Sequence, residues 1–193
     1  MTDVPLDPIT IDVGEVLQHT VTSLYAHLVT RPTGRAMRMA IETQLQGAGE
    51  RSLSLIDFSE VVIIDFSCAD EVVAKLLLKY RDDEVHEAFF VFRGVHDLHR
   101  DQIQVVLERQ GLAAVGETDP GTFQLLGEHT NDEGRVWALL EERGMVTVEE
   151  VAELFRTEDD RAALASLTER GLVFRSPTSG QIHALSRLVG HLM

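Results

Sequence analysis

The chain has a single cysteine, Cys68, among 193 residues, a shortage of cations, and no apolar run approaching the length of a bilayer span. Each shortage excludes something. One cysteine rules out an intrachain disulfide and gives no support to a thiolate metal cluster. The N-terminus, MTDVPLDPIT, carries acids where a secretory leader would carry bases, so a soluble, cytoplasmic protein with no membrane partner is expected. Seventeen Lys and Arg stand against 32 Asp and Glu, and the resulting charge of −15 repels nucleic acid and anionic membrane while tolerating basic protein partners. There is no glycine-rich phosphate loop, His-Glu-x-x-His run or serine elbow, and no nucleophile with an identifiable base, so neither a catalytic residue nor a cofactor is expected. In contrast, hydrophobic residues make up 44% of the chain, ample for one large or two small packed domains.

The most informative stretch is 52–80, SLSLIDFSEVVIIDFSCADEVVAKLLLKY. Leu53, Leu55 and Ile56 predict a strand, Asp57 to Glu60 a turn, and Val61 to Ile64 a short buried strand. Ser67 stands three residues before Asp70, the spacing of a capping box, which predicts an N-cap at Ser67 and a helix from Cys68 with Asp70 and Glu71 in its first turn. Ala69, Val72, Val73, Leu76, Leu77 and Tyr80 recur at three- and four-residue steps as its apolar stripe.

Elsewhere Ile9 to Val13 alternates as an edge strand would, which offers a place for pairing with a second copy. Val16 to Val29 fits helix and strand patterns alike, with a strand near Ala26 to Val29 expected from the resemblance given below. Thr33 to Gln46 predicts a helix with Met37, Ala40, Ile41 and Leu45 inward, and Ala88 to Phe92 a buried strand. His96 to Gln110 predicts a helix with Leu98, Ile103, Val106 and Leu107 inside and Gly111 just past its end, and Asp119-Pro120-Gly121 turns a closing hairpin between 113–115 and 123–126. Strands alternating with helices make this part α/β, a mixed sheet with helices packed on it.

These residues resemble the STAS domain of anti-sigma-factor antagonists, in which a strand ending Leu-Asp-Leu-Ser-Gly-Val leads to Asp-Ser-Ser-Gly at a helix cap; here the segments read Ile56-Asp57-Phe58-Ser59-Glu60-Val61 and Asp65-Phe66-Ser67-Cys68. A STAS-like family of unknown function is closer still. Its Ser-Phe-Ala-Asp-Glu matches Ser67-Cys68-Ala69-Asp70-Glu71, and its Thr-Arg-x-x-Gly-Arg matches Thr30 to Arg35. The resemblance runs from about Pro8 to Glu128 and implies a docking surface at Asp65, Phe66, Ser67, Cys68, Asp70 and Glu71 for a histidine-kinase-like ATPase or an anti-sigma-type protein. The register puts Phe66 where the sporulation-type antagonists carry their phosphorylated serine. Phenylalanine has no hydroxyl. Ser67, one position on, is then the candidate phosphoacceptor, against its plainer reading as a cap.

Glu128 to Glu133 is polar and marks a boundary between domains 1–130 and 131–193. Beyond it three helices are predicted, two of them opening with capping boxes (Thr147 with Glu150, Thr157 with Asp160), followed by a hairpin around Ser176 to Gly180. That order, with Leu167-Thr168-Glu169-Arg170-Gly171-Leu172-Val173, resembles a winged helix. DNA is disfavoured as its partner: the third helix opens Thr157-Glu158-Asp159-Asp160, and from Asn131 onward eleven acids outweigh seven arginines.

Three weaker constellations remain. Arg31, Arg35 and Arg38 lie at helical spacing and either meet an anion or acidic partner or form a solvated face. His96 and His99, with Asp97 and Asp101, have a metal-like spacing that a solvated helix start explains as well, and no metal is assigned. Cys68 near a helix start could be activated by the dipole or be a small buried side chain. The expected function is a non-enzymatic regulator acting through protein contact, with a DNA-binding regulator as the alternative and, as a third reading, a small-molecule-binding or minor enzymatic module using His96, His99 and Cys68.

Overall fold

The computed structural model describes residues 6–20, 27–82 and 86–190, with backbone alone for 17–20. Its main sheet has five strands in the order β1-β3-β5-β6-β7: β1 (Asp7–Asp12), β3 (Arg51–Asp57), β5 (Glu87–Arg93) and β6 (Ala113–Asp119) run parallel, and β7 (Thr122–Gly127) returns antiparallel across the Pro120-Gly121 turn. The molecule is thus mixed α/β, and β1 is an edge strand, as its alternation predicts. One helical layer covers one face: α1 (Val13–Thr20), α2 (Arg31–Leu45), α3 (Phe66–Ala69), a π turn over Asp70–Ala74, α4 (Lys75–Arg81) and α5 (Asp97–Arg109). A two-residue parallel pair, β2 (His27–Leu28) with β4 (Ile63–Ile64), stands apart from the main sheet.

After Thr130 come α6 (Asn131–Arg143), β8 (Met145–Val146), α7 (Val148–Leu154), α8 (Glu158–Glu169), β9 (Val173–Arg175), β10 (Ile182–Ala184) and α9 (Leu185–Val189). The three strands pair antiparallel in the order β8-β10-β9. All three long helices open with reciprocal capping boxes, at Thr130/Glu133, Thr147/Glu150 and Thr157/Asp160, two of which the sequence announces.

Residues of β5 alternate between two cores. Phe90 and Phe92 face the helical layer with Ile11, Ile56 and Ala114, whereas Phe89 and Val91, with Leu53, Leu55 and Val115, face Trp137, Leu140, Phe174, Leu185 and Val189. The Phe89 ring meets Phe174 edge-on at 5.4 Å. A strand buried on both faces needs an unbroken apolar run, and Phe89-Phe90-Val91-Phe92 supplies one. The segment beyond 130 therefore covers the second face of the sheet, and the apolar cluster there takes residues from both sides of that boundary.

Several expectations change. The first helix after β4 starts at Phe66 rather than Cys68, and its N-cap is Asp65 rather than Ser67, because Asp65 already projects its carboxylate to the Cys68 amide. Of the stretch 61–64 only Ile63–Ile64 is strand, and Val62 and Ile63 lie exposed rather than buried. Within Val16 to Val29, helix α1 takes the first part and β2 the last, while 21–26 lie outside the described residues. In α5 the inward stripe is His99, Ile103, Val106 and Leu107; Leu98 points outward, 77% exposed.

Candidate functional site

The two short motifs, Thr30 to Arg35 and Asp65 to Glu71, touch along one seam. Asp65 binds three hydrogens: the Cys68 amide donates to its Oδ1 (2.8 Å), the Ser67 hydroxyl donates to the same oxygen (2.9 Å), and the Thr30 amide donates to Oδ2 (3.1 Å). In return the Cys68 thiol donates to the Thr30 carbonyl (2.9 Å). Gly34, on α2, lets the two helices close: a Cβ there would stand 2.8 Å from the Cys68 Cα. The step Thr-Arg-x-x-Gly-Arg is thereby explained by packing.

The charges of the seam are paired within the chain. Arg31 Nη1 donates to Asp70 Oδ2 (2.6 Å) and Glu71 Oε1 (3.0 Å), Arg38 Nε donates to Glu71 Oε2 (3.3 Å), and Lys75 donates to Glu71 from one helical turn on. Arg38 and Lys79 also share Glu42, with Lys79 at 2.8 Å. The π turn widens the helix where Asp70 and Glu71 adjoin, so that both neighbours reach Arg31. Burial of Glu71, 3% exposed, would push its carboxyl up; Lys75, Arg31 and Arg38 overcome that and hold it below the ordinary value. Burial likewise opposes Asp65, and the Cys68 and Thr30 amides with the Ser67 hydroxyl overcome it, leaving the carboxyl low.

Of the six expected docking residues, Cys68, Asp70 and Glu71 are buried and Asp65, Phe66 and Ser67 are half-buried. Phe66 lies under the Arg109 guanidinium, 4.9 Å from ring centre to Cζ. Arg31 and Arg38 do meet an acidic partner, but it is this chain's own Asp70 and Glu71; Arg35 is exposed and makes no ion pair among the described residues. Burial pushes the Cys68 thiol up to about 12, with the Asp65 charge adding to the effect, so it is the inert small side chain and not an activated thiolate. His99 is buried, with Nδ1 3.1 Å from the Gly94 carbonyl and Nε2 3.4 Å from the Val62 carbonyl, so its ring faces this chain's own backbone while His96 stands exposed.

Thr30 pays for the seam with a left-handed backbone, φ 78°, unusual for a β-branched residue. Because its amide and carbonyl, not its side chain, make the tertiary bonds, Thr30→Gly is expected to raise stability by about 1 kcal/mol, read as a higher midpoint in urea unfolding.

Two features escaped the sequence reading. Leu98 and Val105, seven residues apart on α5, point outward on one face, and the exposed Val62 and Ile63 lie beside that helix's start, where His99 meets the Val62 carbonyl. Exposed Glu60, Asp97 and Asp101 are close sequence neighbours of this apolar set, and Asp97 is paired with Arg100 at 2.9 Å. The second is a cavity between the β6–β7 hairpin and the C-terminal strands, lined among others by Glu141, His183 and Ser186. No hydrogen bond joins Ser186 to His183, so the three do not form a nucleophile–base pair. Among the described residues no helix is long and apolar enough to cross a membrane. No protein-family model, no curated protein and no solved structure matches this chain.

Proposed function

We propose that the protein is a non-enzymatic regulator that works by binding another protein, in the partner-switching or scaffold manner that the STAS resemblance implies. The observation that carries this reading is the outward apolar set Val62, Ile63, Leu98 and Val105, with exposed Glu60 and Asp101 among its sequence neighbours. A surface of this kind suits a partner presenting an apolar protrusion flanked by Lys or Arg, and the overall charge of −15 speeds the encounter. By analogy alone that partner is a histidine-kinase-like ATPase or an anti-sigma-type protein. The contact surface is thus moved from the Asp65–Glu71 seam, whose charges are already paired, to the adjoining α5 face. Phosphorylation of Ser67 has little support: a phosphate there would stand against the ionised Asp65 carboxylate that caps the same helix.

The order helix, strand, helix, helix and two strands supports reading the C-terminal unit as a winged helix. Its third helix, α8, exposes Glu158, Asp159, Ala162, Ala165 and Glu169, and its one base, Arg161, donates to the Phe155 and Arg156 carbonyls. Such a face lacks the cations that phosphate neutralisation requires. The whole chain is expected to show no salt-dependent affinity for duplex DNA, as read by fluorescence anisotropy; a dissociation constant of about 1 µM or tighter at low salt would restore the DNA-binding alternative.

Tagged protein expressed in its source cells tests the contact face. Val62→Lys with Leu98→Lys is expected to lower recovery of the co-purifying partner by about ten-fold or more, with the thermal midpoint unchanged. Glu153→Lys, on the exposed side of α7, should leave recovery as it is. Equal recovery with both variants contradicts the assignment.

A further inference from the structure

Buried polar side chains without partners are rare in folded proteins, and two of them line one cavity here. The cavity measures about 690 Å³ and opens between the Gly121–Phe123 end of the β6–β7 hairpin, the C-terminal end of α6, and α9. Ser186, 7% exposed, has an Oγ with no hydrogen-bond partner, and the buried Oε2 of Glu141 has none either. Ser186 stands close enough to lower the Glu141 carboxyl, yet neither atom completes a bond, and burial prevails in pushing that carboxyl up. His183, 5% exposed, brings a third polar group to the same wall, and burial keeps its imidazole neutral. Phe123, Met145 and Leu188 add apolar side chains to the lining.

We propose that this cavity binds a small, flat, uncharged molecule carrying a hydrogen-bond donor beside an acceptor, the pattern of a primary amide or an amino-substituted ring nitrogen. The polar lining decides for hydrogen bonding: an apolar occupant would leave Ser186 Oγ and Glu141 Oε2 as unsatisfied as they are now, whereas a donor–acceptor edge satisfies both. The charges decide for neutrality. Arg143 already faces Glu150 at 3.6 Å, and Arg187, which forms no ion pair among the described residues, lies near enough to Glu141 for the two opposite charges to offset each other at the mouth. Arg187 is held there by Gly144, whose missing Cβ, at φ 76°, leaves room for the guanidinium stem to lie across the end of α6. A second cavity, about 510 Å³ beside Tyr80 and Arg170, offers no such unmet groups among the described residues, since Arg170 is already bonded to Glu133 and to the Glu128 carbonyl.

The site is separate from the α5 face, so failure of either assignment leaves the other standing. The test uses the whole chain, labelled with ¹⁵N, titrated with four aryl probes of similar size: benzamide, benzoate, benzylamine and toluene. Benzamide is expected to move the amide resonances of 141–146 and 181–190 with a dissociation constant on the order of 1 mM, and the other three to bind about ten-fold or more weakly. Ser186→Ala should weaken benzamide about ten-fold while leaving the thermal midpoint equal or higher, because it deletes an unpaired buried hydroxyl; a merely structural serine would not separate the two. Glu141→Ala should weaken benzamide likewise. Equal binding of toluene, preference for benzoate or benzylamine, shifts confined to other residues, or Ser186→Ala binding benzamide as the wild type does would each overturn the proposal.

Discussion

Phe174→Ala is expected to cost about 3–5 kcal/mol and to lower one unfolding transition shared by the entire chain, as large-to-small changes at full burial do. Phe174 is fully buried, and its ring is the C-terminal unit's contribution to the Phe89 wall of the sheet. If the unit beyond 130 were an appendage, its loss would leave the sheet intact. Because Leu53, Leu55, Phe89, Val91 and Val115 share one apolar cluster with the C-terminal unit, loosening that unit exposes the face of β3, β5 and β6 on which they lie. Trp137, the only tryptophan, is buried in that same cluster and reports on it by fluorescence, while far-ultraviolet circular dichroism reports on the chain as a whole. Urea transitions from the two probes should coincide in the wild type and move together in the variant. Separate midpoints would contradict the shared core.

The second large effect separates Asp65 from Ser67. Asp65→Ala removes the acceptor of the Cys68 and Thr30 amides at once and is expected to cost about 2–3 kcal/mol, whereas Ser67→Ala, which removes one donor to the same carboxylate, should cost less than about 1 kcal/mol. The opposite ranking would restore Ser67 as the cap. The same carboxylates set the acid limit. Asp65, Glu71 and Glu42 have folded values below their ordinary ones, so their contribution is full above the unfolded carboxylate range and is lost as pH falls through the folded values. Stability should therefore decline on acidification below about pH 4, and Asp65→Asn should flatten that decline. Glu141, raised by burial, works with the reverse sign: its ionisation above the unfolded value costs stability, a small offset toward neutral pH.

Much of the architecture was legible because local chemistry and global packing agreed. Ala88 to Phe92 announced a buried strand, Pro120-Gly121 the hairpin, and the Thr147/Glu150 and Thr157/Asp160 pairs two helix starts. The misreadings came where tertiary contacts chose between locally equivalent residues. Asp65 and Ser67 are both good caps two positions apart, and the Ser67–Asp70 spacing imitated a capping box; the Thr30 amide, from a different element, favours Asp65. On α5, hydrophobicity pointed Leu98 inward, yet the stripe through Ile103 and Val106 continues to His99, whose nitrogens find the Gly94 and Val62 carbonyls inside. Nothing in the local pattern marks the π turn, whose Asp70 and Glu71 both meet Arg31 from a different helix. The cavity is equally hidden, since Glu141 and Ser186 are distant in sequence and meet only through α6 and α9.

Because the chain has one thiol, its reaction with a disulfide reagent such as Ellman's measures directly whether the α2–α3 seam is closed by the protein's own residues or offered to a visitor. With Cys68 buried against Thr30 and Gly34, labelling of the native protein at neutral pH should be on the order of a thousand-fold slower than in urea and should follow opening of the seam. Labelling as fast as that of the unfolded chain would contradict the account and return the seam to its place as the docking surface.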